Sequence, residues 1–297
     1  MNAPVIAVDQ LTKYYGRTVG VRKISFEVQA GEVFGFLGPN GAGKTTTIRI
    51  LLGLLRPTSG RAAVLGCPVP DESFEIRRRC GYLPGNLTGV ASLTGSEMLR
   101  LSADLRQTDP SLETELIDRF KISSQNLGQK LKHLSHGTRQ KLGIVQAFFH
   151  RPELIVLDEP TTGLDPLMQQ RFYDLLKETR QRGATVFFSS HNLPEIERTC
   201  ERVAIIREGE LVALETLDNL KQKRYRRLQL TLSEPVDYLK IAGAEVVSRR
   251  ELDYELLVKG DIDAVIKDLA RLPLKDVVLP EPDLEEVFMA YYRPDHG

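Results

Sequence analysis

The chain has no tryptophan and only three cysteines in 297 residues. Cys67, Cys80 and Cys200 are odd in number and widely spaced, so neither a disulfide framework nor a paired-thiol metal site is expected. No apolar run approaches the roughly 18 to 20 residues that a membrane-spanning helix requires. Stretches such as residues 154–157 are strand-length instead. Residues 1–9 lack the basic-then-apolar order of a signal peptide, and a cytoplasmic location is the expectation. Charge of one sign is not in excess either. Forty basic residues balance forty acidic ones, which removes the electrostatic reason to expect nucleic acid as a partner. On the same ground Arg77-Arg78-Arg79 and residues 221–227 read as solvated faces.

What is present is an alternation of strand and helix patterns. Residues 5–8, 24–28 and 33–37 read as strands, followed by a glycine-rich loop and a helix with Ile48, Leu51, Leu52 and Leu55 at helical spacing. Residues 57–60 carry turn chemistry. A helical insert is expected at about 83–150, with helices at 96–105, 112–120 and 138–150. Strand signals return at 154–157, 185–189 and 203–206, and Glu208-Gly209 turns into a last strand at 211–214. Asp165 as N-cap, Pro166 in the first turn and Gly183 past the end punctuate a helix between the first two. These patterns predict an α/β domain over residues 1–220. Beyond it, strands at 228–232, 245–248, 254–258 and 277–279 interleave with helices at 235–241, 261–269 and 284–292. That β-α-β-β-α-β order predicts a small α+β domain, ferredoxin-like in layout, over residues 228–297.

Gly38-Pro39-Asn40-Gly41-Ala42-Gly43-Lys44-Thr45 fits G-x-x-x-x-G-K-S/T between a strand and a helix. Glycines there let successive N–H groups turn toward phosphate oxygens, and the following helix points its positive end at them. Lys44 is placed for the β- and γ-phosphates of ATP, Thr45 for Mg²⁺, and Thr46 for a further phosphate contact. Asp158 and Glu159 end the strand at 154–157. Asp158 is the second candidate for Mg²⁺, and Glu159 can orient and deprotonate an attacking water.

Further motifs follow in an order that resembles the nucleotide-binding subunits of ABC transporters. Leu134-Ser135-His136-Gly137-Thr138-Arg139-Gln140-Lys141 resembles the family's signature loop, and Gly163-Leu164-Asp165-Pro166 its D-loop. His191 matches the switch histidine, Tyr15 the adenine-stacking aromatic, and Gly81-Tyr82-Leu83-Pro84 the approach to the Q-loop. The resemblance implies a P-loop NTPase core with a mixed sheet and helical insert, and ATP hydrolysis with Glu159 and His191 as catalytic residues. It further implies that Ser135 and Gly137, with Asp165 nearby, act on ATP held by the phosphate loop of a second subunit. Two departures stand out. His136 and Thr138 replace the usual Gly and Gln of the signature, and Gly85 occupies the Q-loop position, with Asn86 beside it.

Thr12-Lys13-Tyr14-Tyr15-Gly16, the C-terminal extension and the ending Leu284-Glu285-Glu286-Val287-Phe288-Met289 resemble ATPase subunits of ABC-2-type, drug-resistance-like exporters. That likeness implies a separate transmembrane permease and a homodimer or heterodimer with a related ATPase subunit. A soluble ABC-type ATPase is the alternative, disfavoured by a single motif set without sustained heptads. A regulatory module with weak turnover is motivated by Gly85 and His136, and opposed by Lys44, Asp158, Glu159 and His191.

Overall fold

The computed structural model describes residues 3–87, 91–108, 112–222, 226–236, 239–258 and 262–279. Two compact units divide the chain, Met1–Leu217 and Asp218–Gly297.

The first unit opens with a hairpin, β1 (Ile6–Tyr15) and β2 (Thr18–Val28), turned at Gly16-Arg17 with Gly16 in the left-handed region. Both strands run past their expected apolar stretches. Their outer halves set Lys13, Tyr14 and Tyr15 opposite Val21, Val19 and Thr18, a mixed pattern that a run of apolar residues does not reveal. Next come β3 (Val33–Leu37), α1 (Lys44–Leu51), β4 (Ser59–Val64), β5 (Cys67–Val69), α2 (Ser73–Arg79) and β6 (Cys80–Leu83). The strand β4 begins at Ser59-Gly60, where a turn was expected; Ala62 and Val64 pair with Val8 and Ile6 and draw the segment into the sheet.

Helices α3 (Gly95–Arg106), α4 (Glu113–Arg119), α5 (Ser124–Gly128) and α6 (His136–Phe148) then form the helical part. The chain returns through β7 (Leu154–Asp158), α7 (Pro166–Gln181), β8 (Thr185–Ser190), α8 (Leu193–Thr199), β9 (Arg202–Arg207) and β10 (Glu210–Thr216), and α9 (Leu217–Gln222) follows, all but its first residue in the second unit.

Strands β2-β1-β4-β5 make an antiparallel sheet, and β10-β9-β3-β8-β7-β6 make a second, mixed one. In the second sheet only β10 runs antiparallel to its neighbour. Every residue of β3, β7 and β8 is buried, as a sheet covered on both faces demands. Consecutive residues go to opposite faces. Phe187 joins Phe26, Phe34 and Phe36, with centroids 5.3 to 6.1 Å from its own, whereas Phe188 stacks on Phe172 of α7 at 6.3 Å. Burying each such ring contributes about 1.5–3 kcal/mol, and together they fix the strand ends that carry the polar residues. All three cysteines are free and buried, and burial pushes the Cys80 and Cys200 thiols up to about 12.

The second unit contains β11 (Arg226–Leu232), β12 (Ala244–Arg250), β13 (Asp253–Val258), α10 (Ile262–Leu269) and β14 (Leu274–Val278). Its antiparallel sheet has the order β12-β13-β11-β14, so β13 lies between β11 and β12. Leu228, Leu230, Leu232, Tyr254, Leu256 and Val258 cluster with Val265 and Leu269 of α10. One expectation needs correction: the described residues of 235–241 hold no helix. Backbone donors flanking this connection go to distant acceptors, Ser233 N–H to the Pro273 carbonyl and Ala242 N–H to Asp268 Oδ2. Val236, Leu239 and Ile241 reach the core from backbone that is not helical. The helix expected at 284–292 lies outside the described residues.

Candidate active site

Parallel register assembles the site. It sets Leu37 of β3 beside Ser190 of β8, and Asp158 of β7 beside Ser189. The loop after β3 is thereby brought to the carboxyl ends of β7 and β8, where open α/β sheets hold their ligands. Gly38 N–H donates to the Ser190 carbonyl at 3.2 Å, and Ala42 N–H to that of Pro39 at 3.2 Å. Gly43 sits at φ +109, and a Cβ there would stand 2.5 Å from the Gly20 carbonyl oxygen, so only glycine fits. Helix α1 starts next, with no side chain capping it. The loop borders a cleft of about 300 Å³ whose wall includes Tyr15, Gly20, Asn40, Lys44, Thr46 and Glu159.

Two polar chains meet there. Lys44, 5% exposed, donates through Nζ to the carbonyls of Gly38 (2.6 Å) and Pro39 (3.1 Å), and pairs with Glu159 Oε1 at 3.0 Å. The other Glu159 oxygen lies 2.5 Å from His191 Nδ1. In the second chain, Thr45 Oγ1 donates to Asp158 Oδ2 at 2.7 Å and Ser189 Oγ donates to Asp158 Oδ1 at 2.8 Å. Glu159 adopts φ +53, and its N–H donates to the Ser189 carbonyl at 3.2 Å. A buried brace starts at the residue before His191: Glu195 accepts from Ser190 Oγ at 2.7 Å and from Thr161 Oγ1 at 2.6 Å.

Ser189, Ser190, Thr161 and Glu195 escaped the sequence reading. The available signal was Ser189-Ser190 following the apolar run Val186-Phe187-Phe188 directly before His191.

Tyr15 edges the cleft, 47% exposed, with its Oη 3.4 Å from Thr46 Oγ1 and Lys13 Nζ 5.6 Å from the ring centroid. Gly85 lies beside Asp158; a Cβ there would be 3.6 Å from Oδ2, an ordinary contact distance. Ser135, Gly137 and Asp165 are not on the wall of that cleft. Ser135 caps α6, its Oγ accepting from Thr138 N–H at 3.2 Å, and Asp165 caps α7, its Oδ1 accepting from Met168 N–H at 3.0 Å. The two loops touch closely: a Cβ on Gly137 would stand 2.6 Å from the Gly163 carbonyl oxygen, and one on Gly163 2.3 Å from His136 Cδ2.

A strand running into a glycine loop, a lysine at the helix start, and an acid ending the next strand but one define a P-loop nucleotide hydrolase. Comparison with known proteins narrows the class. The family model described as ABC transporter matches residues 21–162. An uncharacterized ABC transporter ATP-binding protein of Nostoc sp. is 40% identical, over 74% of this chain and 69% of its own length. The bacitracin transport ATP-binding protein of Bacillus licheniformis is 39% identical, over 77% of this chain and 76% of its own length. A solved structure of an ATP binding subunit of an ABC transporter matches at a TM-score of 0.68 and 31% identity, covering 74% of this chain and 92% of that one. The chain belongs to the ATP-binding proteins of ABC transporters and is an ATP-hydrolysing member of that family. Among the described residues, no helix is long and apolar enough to cross a membrane.

Proposed function

We propose that the protein energises an ABC-2-type exporter as an ATP-driven dimer bound, on the cytoplasmic face of the membrane, to a separate transmembrane permease. The observation that carries the catalytic part is the pair of polar chains Lys44–Glu159–His191 and Thr45–Asp158–Ser189, which join the phosphate loop to the ends of β7 and β8. Lys44 meets the β- and γ-phosphates of ATP. A phosphate oxygen arriving there takes the ammonium contact that Glu159 now holds, and leaves that carboxylate to orient and deprotonate water. His191, 2.5 Å from Glu159, steadies the carboxylate and reaches the γ-phosphate. Tyr15 stacks on adenine, Asn40 and Thr46 line the phosphate path, and backbone N–H groups of residues 40, 41 and 43–46 hold the phosphate oxygens.

The donor set suits Mg²⁺. Thr45 and Asp158 present two hard oxygens 2.7 Å apart, and the second Asp158 oxygen is held by Ser189. When bound, the cation neutralises charge on the β- and γ-phosphates.

The dimer follows from the signature residues. Ser135 and Gly137 lie at a helix start suited to an anion, yet on α6 and not on the wall of the phosphate cleft. A two-fold pair, of identical or related chains, gives each signature the other chain's ATP and closes on itself. Support for export comes from the likeness of the 12–16 motif to exporter subunits and from the relative that serves bacitracin transport.

Glu159→Gln keeps the shape of the site and removes its base, so MgATP should accumulate a closed dimer. Sedimentation with and without MgATP, with and without permease, reads this directly. A monomer under every condition would sink the shared-site reading.

A further inference from the structure

Gln140 is 3% exposed, and its amide nitrogen has two carbonyls within reach. Nε2 donates to the Pro160 carbonyl at 2.8 Å and approaches that of Glu159 at 3.3 Å. Glu159 sits in the left-handed region at φ +53, which a residue with a side chain keeps only where its surroundings fix it. On its amino side the peptide is held by Ser189, and on its carboxyl side by Gln140. One turn earlier on the same face of α6, His136 lies against Gly163. The start of α6 therefore rests on the segment 159–163 at two points: the base at one end and the D-loop glycine at the other.

We infer that Gln140 is a positioning residue for hydrolysis, tying the signature end of α6 to the backbone of Glu159 so that its carboxylate spans Lys44 and His191. The inference rests on the reading of Glu159 as base and Ser135 as a cap on the partner's ATP. Gln140 does not line the cleft beside the phosphate loop. It transmits the placement of α6, which the partner's nucleotide sets, to the base of its own chain. The bland alternative is a core glutamine that satisfies two carbonyls and contributes stability alone.

The two are separated with the full chain and MgATP. Gln140→Met should lower kcat roughly tenfold to hundredfold while KM for ATP stays within about twofold, since Lys44 and its loop are untouched. In the Glu159→Gln background the same change should lower the residual single-turnover rate by less than about threefold, because the group it acts through is gone. An unchanged kcat, or an equal loss in both backgrounds, overturns the inference. Should Gln140→Met fail to fold, Gln140→Glu keeps the shape and sets a carboxylate against two carbonyls. Its rate relative to wild type should recover as pH falls from about 8 to about 6, where the protonated acid donates again. A ratio flat with pH overturns the inference equally. Failure of the wider reading looks different: Glu159→Gln alone then gives no ATP-driven dimer, whereas failure of the Gln140 role leaves that dimer intact.

Discussion

Helices α1 and α6 both begin where an anion could bind, and they are finished differently. At α1 the chain enters through Gly43 with no side chain capping the first turn, and a buried lysine stands at its first position. At α6 the Ser135 hydroxyl already accepts from Thr138 N–H and is 2.9 Å from the Thr138 hydroxyl. On the proposed reading the first end takes a ligand beside Lys44, Thr45, Asp158 and Glu159 of the same chain. The second satisfies itself in the single chain, and on the proposed reading its capping bond is exchanged for the partner's phosphate. A complete site and a self-capped half-site on one chain are the physical content of the dimer proposal.

Breaking the complete site should have the largest effect. Lys44→Ala removes a buried side-chain cation that contacts two loop carbonyls and Glu159. We expect MgATP affinity to fall on the order of a hundredfold or more, read by titration calorimetry, with the fold intact by circular dichroism. Normal binding and turnover would show that the loop is not the phosphate site.

Breaking the half-site should leave binding alone and remove association. Ser135→Arg added to Glu159→Gln puts bulk and charge where the partner's γ-phosphate would sit. Each chain should still bind ATP within about threefold of the parent, while the ATP-driven dimer weakens on the order of tenfold or more in sedimentation runs. Equal dimerisation with and without the arginine would mean that the signature does not cap a nucleotide.

This contrast also marks what the sequence could disclose. The glycine loop and the Asp158-Glu159 pair were readable because contiguous residues and their flanking elements specify the chemistry locally. Lys44 capped by Gly38 and Pro39, Ser189 on Asp158, and Gln140 on Pro160 were not, since each depends on register between segments distant in sequence. Strands β5 and β6 are short pieces whose pairing partners, β4 and β7, make them strands. The connection at 235–241 shows the opposite failure: its apolar spacing reads as a helix, yet tertiary contacts take its residues one by one.

Adenine recognition gives a smaller test of the complete site. Tyr15 is half-exposed at the cleft edge and ordered by Thr46 and Lys13. Tyr15→Ala should weaken ATP binding by about fivefold to tenfold, the scale of one aromatic stack, and Tyr15→Phe should restore most of it. Comparing ATP with inorganic triphosphate gives the sharper readout. The alanine variant should lose affinity for ATP only, and an equal loss for both ligands would move Tyr15 out of the base-stacking role.

The smallest effect is expected where the complete site departs from its family. Gly85 lies next to Asp158, with room for a Cβ at 3.5 Å from its carbonyl oxygen and 3.6 Å from Oδ2. Its φ is not among the left-handed glycines, so a side chain is sterically and conformationally admissible. Gly85→Gln therefore places an amide within reach of the carboxylate that, with Thr45, would hold the cation. The amide can support that oxygen set or the attacking water, but the base, the lysine and the loop are unchanged. Turnover should rise by about twofold to fivefold, with KM for ATP shifting less than kcat. Steady-state phosphate release on the purified chain, with and without permease, measures it. A faster chain that loses its response to permease would place the Gly85 position in coupling, whereas unchanged kinetics in both settings would make the glycine a neutral substitution.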